Sequence, residues 1–263
     1  MLHVAAISGN ESCLKLLLEQ KVDILIRNIY WHTVLHQAMI QNVDEAVPHL
    51  LASGADISAR DNRGNTPLHF ANRGRVGTLE LLLKAGADIS ARTSWGLTPL
   101  MCVHEAAIAN VLLKNGADCL EIDKEGNIAV HHALFSEGVC RRLWEENPQT
   151  VNLRNHFGQT PLNRAVTYSF ARLAQPKVLL EYGADVNSQD LGGRMTLQNY
   201  LSAGSRSNVQ SLPSSDTIGP IKDLLNAGAN VMRMDKIGRT ALDYAHQTGC
   251  LKIPELLSSS PPR

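Results

Sequence analysis

Two short sequence signals recur along the chain in a fixed phase, and this repetition constrains the fold more than any other feature. The first is a Gly-Ala-Asp or Gly-Ala-Asn triplet, which begins at positions 54, 86, 116, 183 and 228. The second is a Thr-Pro-Leu segment or a close variant, and its threonine follows the glycine by 12 positions at 66, 98 and 240. A chain with such a repeat is expected to fold as stacked copies of one small structural unit.

Weaker copies of the second signal extend the repeat in both directions. They begin at Thr33, Ile128 and Thr160, so that the starts at 33, 66, 98, 128 and 160 are spaced by 33, 32, 30 and 32 residues. The later steps lengthen to 36 and 44 residues, at Thr196 and Thr240. The repeated pattern therefore covers nearly the whole chain.

The recurring residues have physical roles in a helix-turn-helix unit. Thr66 can cap a first helix, and Pro67 then falls at the first helical position, where its missing N–H costs nothing. A second helix carries an apolar stripe at three- and four-residue steps, as at Leu79 and Leu82. Gly86 can end that helix in the left-handed conformation.

A period near 33 residues with Thr-Pro-Leu-His, complete at 66–69, resembles the ankyrin repeat. The resemblance extends from Leu2 to about Leu257. It implies an all-α ankyrin-repeat solenoid of stacked helix-turn-helix units with β-turn fingers, in which finger turns and first helices form a concave side. We expect a single domain over 1–257 with about eight units, which start near residues 1, 28, 61, 93, 123, 155, 190 and 235.

Three segments interrupt this regularity. A stretch rich in Ser, Gly and Pro at 202–220 predicts a flexible insertion in the seventh unit. The tail at 258–263 is predicted to be disordered. The fourth unit is short by about three residues between Thr98 and Gly116, which predicts trimmed helices.

Composition limits the functional classes. The 25 basic and 25 acidic residues balance, whereas a direct nucleic-acid binder normally has a basic excess. Five scattered cysteines indicate free thiols in a reducing, cytoplasmic or nuclear compartment. No apolar run has the length of a membrane span, and we expect a monomer.

No pattern in the sequence predicts catalysis. The chain has ten histidines but no CxxC pair, HExxH motif or GxxxxGK phosphate loop. His3, His36, His69 and His131 occupy one repeat position, where the resemblance implies a structural role. We therefore predict no catalytic residue, no cofactor and no metal site.

Four arginines share one register. Arg27, Arg60, Arg92 and Arg154 each lie six positions after a turn anchor, so they are predicted to align along the fingers. One interpretation is a stripe that binds an acidic segment of a partner. The other is local pairing with finger acids such as Asp61.

Aromatic residues also recur at the fingers. Tyr30, Trp95 and Phe157 share one position, and Trp31 stands where glycine is expected. Exposed aromatic side chains are favoured binding anchors, although packing between fingers would explain them too.

The resemblance implies protein–protein recognition without chemistry. The predicted binding surface consists of Tyr30, Trp31, Arg60, Arg63, Arg92, Trp95 and Phe157. Two alternatives stay open: the chain is the recognition segment of a larger enzyme or signalling protein, or it regulates transcription through a protein partner.

Overall fold

The computed structural model describes residues 1–73, 75–168, 176–206, 215–248, 250 and 252–258. Throughout these residues the regular structure is helical, apart from an isolated bridge between Gln189 and Met195. This confirms the predicted all-α class. The chain divides into two compact units, Met1–Lys124 and Glu125–Arg263. From here on they are called the first unit and the second unit, and each contains several repeats. The single domain over 1–257 stays a prediction.

The first unit consists of successive pairs of short helices. Its helices are α1 (Leu2–Ile7), α2 (Glu11–Glu19), α3 (Val34–Gln41), α4 (Ala46–Ala52), a 3₁₀ helix at Pro67–Arg73, α5 (Val76–Lys84), a 3₁₀ helix at Pro99–Cys102 and α6 (Ala106–Lys114). The shortest of them, Pro99–Cys102, opens the pair that the sequence spacing predicted to be trimmed.

The second unit continues the pattern over its described residues. Its helices are α7 (Ala129–His132), a 3₁₀ helix at Ala133–Phe135, α8 (Glu137–Glu146), a 3₁₀ helix at Pro148–Asn152, α9 (Pro161–Tyr168), α10 (Pro176–Glu181), α11 (Thr196–Arg206), α12 (Ser215–Asn226), α13 (Ala241–Gln247) and α14 (Lys252–Ser258).

The flexible insertion at 202–220 stays a prediction, because the structure describes only its two ends. Helix α11 includes 202–206, and α12 includes 215–220. Leu201 and Ile221, next to these ends, are buried and anchor both helices in the core. Positions 207–214 lie outside the described residues, as does the predicted tail beyond Ser258.

In the seventh repeat, the residue that caps the first helix lies one position before the predicted anchor Thr196. Helix α11 begins at Thr196 itself, and the backbone N–H of Met195 donates to Oε1 of Gln198 at 2.7 Å. This is the bond that the N–H of Thr33 makes with Nδ1 of His36. Met195 therefore occupies the cap position, and a pattern based on threonine could not identify it.

A side chain three residues after each cap ties one pair of helices to the next in the first unit. Nδ1 of His36 accepts from the N–H of Thr33 at 3.2 Å, so Nε2 carries the proton and donates to the carbonyl of Asn65 at 3.0 Å. His69 repeats the arrangement and donates to the carbonyl of Leu97 at 3.1 Å. The structural role implied for these two histidines is confirmed.

A histidine and two amide side chains make the equivalent hydrogen bonds in the second unit. His131 bonds the carbonyl of Gln159 at 3.1 Å, and Asn163 donates to the carbonyl of Ser188 at 3.2 Å. Gln198 donates to the carbonyl of Arg239 at 2.9 Å. These bonds and the buried leucines between helices hold neighbouring pairs at a fixed spacing. In the first unit the buried leucines include Leu35, Leu50, Leu68, Leu82, Leu100 and Leu112.

Candidate functional site

The chain makes a tight turn, here called a finger, before each first helix. In the finger at 61–65, the N–H of Asp61 bonds the carbonyl of Asn65 at 2.9 Å, and the N–H of Gly64 bonds the carbonyl of Asp61 at 3.0 Å. The carboxylate of Asp61 also accepts from the backbone N–H groups of Arg63 and Asn65, each at 2.8 Å. Asn28 and Thr93 fix their own fingers in the same way. The fingers are therefore rigid turns.

The protonation state of Asp61 supports this arrangement. Its burial alone would raise the pKa, but the hydrogen bonds from Asn65 and from the backbone N–H of Arg63 outweigh burial and hold the pKa below its usual value. The turn therefore keeps a charged acceptor at neutral pH.

Backbone hydrogen bonds also join the fingers of the first unit to one another. The accepting carbonyl belongs each time to the third residue of a finger, here called its tip. The N–H of Asn62 donates to the carbonyl of Tyr30 at 3.3 Å, that of Ser94 to Arg63 at 2.8 Å, and that of Lys124 to Trp95 at 3.0 Å. The side chains of Tyr30, Arg63 and Trp95 therefore form one row, here called the tip row.

The tip row is open to solvent. Tyr30 is 55% exposed and Trp95 is 67% exposed, and Arg63 between them is also exposed. Trp31 and Ile29 extend the apolar surface around Tyr30, with exposures of 60% and 85%. Tyr30, Trp31, Arg63 and Trp95 belong to the binding surface predicted from the sequence. Ile29 was not part of that prediction, although its place next to the tip position was an available signal.

Trp31 has a backbone conformation that disfavours a tryptophan. Its φ is 64°, in the left-handed region that glycine adopts at the same position in the next finger. A Cβ on Gly64 would lie 2.7 Å from the backbone N of Ser94, so a side chain at this position crowds the following finger. The bond from Asn62 to Tyr30 is the longest of the three tip bonds, at 3.3 Å, which agrees with such crowding.

A cluster of rings supports Tyr30 from below. The ring of His32 lies 5.7 Å from that of Tyr30 and contacts Phe70 edge to face at 5.6 Å. Its Nε2 also lies 3.4 Å from the carboxylate of Asp61. The guanidinium of Arg27 stacks over Trp31 at 5.4 Å. The aromatic end of the tip row is thus packed on its inner side and open on its outer side.

Three of the four arginines in the predicted register, Arg27, Arg60 and Arg92, donate to backbone carbonyls of the next finger. Arg27 donates to the carbonyl of Arg60 at 2.7 Å, Arg60 donates to the carbonyl of Arg92, and Arg92 donates to the carbonyl of Ile122 at 2.6 Å. Arg92 also pairs with Glu121. Arg60 and Arg92 therefore link fingers within the unit, with backbone carbonyls in place of the predicted acid Asp61.

The second unit has its own exposed tips. Phe157 is half exposed, and its carbonyl accepts from the N–H of Leu191 at 2.9 Å. Leu191 and Ile237, which sequence analysis did not select, are more than half exposed. Ile237 occupies the tip position of its finger, so the register alone could have identified it.

A family model described as ankyrin repeats in three copies matches residues 2–93 and 100–190. These ranges cover most of the chain and include both clear and degenerate units. The chain belongs to the ankyrin-repeat family. The resemblance drawn from the period and the Thr-Pro-Leu-His signature is confirmed, and ankyrin repeats are a general protein–protein interaction module.

Relatives of this ankyrin chain are much longer proteins. It is 33% identical over 203 residues to the nuclear factor NF-kappa-B p105 subunit of Gallus gallus, which is 70% of this chain and 20% of that protein. It is 27% identical over 202 residues to the transient receptor potential cation channel subfamily A member 1 of Homo sapiens, 71% of this chain and 18% of that protein. A match of 30% over 99 residues, 36% of this chain and 10% of that protein, is to the phosphocholine transferase AnkX of Legionella pneumophila.

Several titratable groups of this ankyrin chain are engaged in its packing. Burial lowers the pKa of His36 to about 4, so the ring is a neutral donor and acceptor at neutral pH. Burial raises the pKa of Cys102 to about 11 and that of Cys140 to about 12, which keeps both as thiols. Among the described residues, no group of side chains could hold a metal ion and no helix is long and apolar enough to cross a membrane.

Proposed function

We propose that this chain is a non-catalytic adaptor that binds a partner protein through its finger tips. The observation that carries the proposal is the tip row, in which Tyr30 and Trp95 are exposed on rigid turns. Adjoining exposed apolar side chains, such as those of Ile29, Tyr30 and Trp31, are favoured places for interaction because a partner can cover them together. Trp31 and Arg63 complete the proposed surface of the first unit, and Phe157 is proposed as a binding tip of the second unit by itself.

Rigidity supports this function because it lowers the entropic cost of binding. Each tip is held by its own turn and by a bond from the next finger, so few torsions are lost when a partner covers it. Arg60 and Arg92 act as supports in this proposal, because their donors are already bonded to backbone carbonyls.

Substitution of the tips tests the proposal. We expect Tyr30→Ala and Trp95→Ala each to reduce partner capture from extract by about tenfold or more, since aromatic hot spots dominate affinity. Capture is measured by quantitative mass spectrometry on the purified, folded variants. The matched control is Leu81→Ala, which removes an exposed apolar side chain from α5. Equal capture by wild type and both tip variants, with unchanged melting temperatures, would contradict the proposal.

Arg92→Ala serves as a structural comparison. Its guanidinium bonds the carbonyl of Ile122 and pairs with Glu121, so we expect a lower melting temperature. The tip variants Tyr30→Ala and Trp95→Ala are expected to lose binding without a lower melting temperature, whereas Arg92→Ala is expected to lower the melting temperature.

A second candidate function is recognition within a larger protein. The observation that favours it is that the chain spans about a fifth of the length of the first relatives it matches. In that case the tips would select a substrate or partner for other domains of the same protein, and those domains could be a transcription factor or a transferase. The full reading frame around this sequence tests this alternative. We further propose that the chain acts as a monomer in the cytoplasm or nucleus, without direct contact to nucleic acid.

A further inference from the structure

Arg63 differs from the other finger arginines of the first unit. Arg27, Arg60 and Arg92 each donate to a carbonyl of the next finger. Arg63 holds its turn only through its backbone, and within the described residues its guanidinium has no ion pair or hydrogen bond. It stands exposed between the exposed aromatic rings of Tyr30 and Trp95 in the tip row.

The exposed charge on the three fingers that hold the tip row is positive. The turns at 28–32, 61–65 and 93–97 carry one exposed cation, Arg63. Their one carboxylate, that of Asp61, is buried and already bonded to its own turn. A ligand that fits this surface therefore presents one negative group opposite Arg63, which suits the bidentate geometry of a carboxylate.

The spacing of the tips selects a backbone conformation for such a ligand. Packed helices lie about 8–10 Å apart, and we infer a similar spacing for successive tips, because backbone bonds join each finger to the next. In a polyproline II helix, side chains three residues apart lie on one face at about 9 Å. In an extended strand, the same two side chains point to opposite faces. A polyproline II segment thus places every third side chain on a successive tip.

Resting on the proposed function of the finger tips, we propose that the tip row binds an acidic polyproline II segment of the form Pro-x-x-Glu-x-x-Pro. The two prolines pack on the rings of Tyr30 and Trp95, and the carboxylate pairs with Arg63. Proline rings dock on exposed aromatic side chains in this conformation because the segment loses little entropy on binding. Trp31 widens the aromatic surface under the first proline.

Fluorescence anisotropy with short synthetic peptides tests the proposal on the whole chain. The probe is the labelled peptide APPAEPAPA, which has Pro, Glu and Pro at the required spacing. We expect APPAQPAPA, which lacks the charge, to bind about tenfold more weakly. We expect APPEAPAPA, in which Glu is displaced by one position, to lose affinity similarly because the carboxylate then points away from Arg63.

A charge exchange gives the sharper test. Arg63→Glu is expected to lose the binding of APPAEPAPA at least tenfold and to gain binding of the lysine peptide APPAKPAPA. The variant should fold, since Glu125 occupies the tip position of its own finger; Arg63→Gln provides a second variant without the new charge. The matched control is Lys84→Glu, an exposed residue at the end of α5 with the same change in net charge.

The outcomes separate this inference from the proposed function. Binding of APPAEPAPA that depends on Arg63, Tyr30 and Trp95 supports the inference. Absence of binding by wild type, or equal binding by wild type and Arg63→Glu, overturns it. If partner capture still depends on the tips in that case, the interaction role stands and the ligand class is wrong. If neither peptides nor captured proteins respond to the tip variants, both proposals fail.

Discussion

Trp31 has a left-handed backbone conformation that a tryptophan side chain disfavours. A non-glycine residue in the left-handed region costs about 1 kcal/mol or more, and Trp31 has a φ of 64°. We predict that Trp31→Gly raises the free energy of unfolding by about 1 kcal/mol, after loss of its stacking with Arg27. The same variant should bind the proline peptide more weakly. Urea unfolding and fluorescence anisotropy measure the two effects.

The reverse exchange is the control for Trp31. A Cβ at Gly64 would meet the backbone N of Ser94 at 2.7 Å in a turn with a φ of 78°, so Gly64→Ala should destabilise the chain. If Trp31→Gly lowered stability, the tryptophan would be a packing residue and its role in binding would lose its main support.

Thr66 and Thr98 occupy equivalent cap positions with different hydrogen bonding. The hydroxyl of Thr66 lies 3.0 Å from Nδ1 of His69, whereas Oγ1 of Thr98 is buried without a hydrogen-bond partner. We predict that Thr66→Val costs about 1–2 kcal/mol. Thr98→Val should be neutral or stabilising, because it removes a buried hydroxyl that has no partner. Thermal and urea unfolding of the two variants check the difference, and equal losses would contradict it.

Thr66 and Thr98 show which features of the fold could be predicted from the sequence and which could not. The register of caps, glycines and arginines follows from spacing, because each copy repeats the same backbone. The acceptors of the Arg60 and Arg92 side chains do not follow from spacing, since a backbone carbonyl of the next finger leaves no signal in the residue types. The missing partner of Thr98 was visible only as the replacement of histidine by Met101.

At the scale of the helical elements, histidines link one pair to the next, and they make stability depend on pH. Burial lowers the pKa of His36 to about 4 from an ordinary value near 6.5, and burial lowers that of His69 as well. Between these values the unfolded chain binds the proton and the folded chain does not. Stability is therefore fully present above pH 6.5 and is lost as the pH falls toward 4.

We predict that His36→Asn removes part of this pH dependence. Asparagine serves at the equivalent position 163, where it donates to the carbonyl of Ser188, so the variant should fold. From pH 7.5 to 5, wild type should lose about 2 kcal/mol through His36 alone, and the variant should lose correspondingly less. Urea unfolding at the two pH values measures this, and His69→Asn should act in the same direction. An identical pH response of wild type and His36→Asn would show that the ring does not control it.

Helix existence was predictable at this scale, and helix bounds were less so. The apolar stripes predicted the second helices because burial against neighbours fixes them. The start of α11 was misplaced by one residue because Met195 and Gln198 make the cap bond that Thr and His make elsewhere. The ends of α11 and α12 reached into the segment at 202–220 because a few buried residues outweigh a polar composition.

On the scale of the whole chain, charge balance limits what the basic fingers can bind. The 25 basic and 25 acidic residues give no net charge, and three finger arginines, Arg27, Arg60 and Arg92, donate to carbonyl oxygens. Binding to DNA phosphates requires several cations that release counterions together, whereas binding of an acidic peptide by Arg63 requires one. The two kinds of ligand therefore predict different responses to salt.

We predict that the chain binds a labelled 20-base-pair duplex more weakly than about 100 µM at 0.15 M salt, beyond the usual range of non-specific DNA binders. Its affinity for APPAEPAPA should fall only weakly between 0.05 and 0.3 M salt, because one ion pair contributes and the prolines add a salt-independent apolar contact. Fluorescence anisotropy titrations with both probes at several salt concentrations measure these slopes. Micromolar binding of the duplex with a steep salt dependence would mean that the finger arginines leave their carbonyl acceptors for phosphate, and that the tip row is part of a nucleic-acid surface.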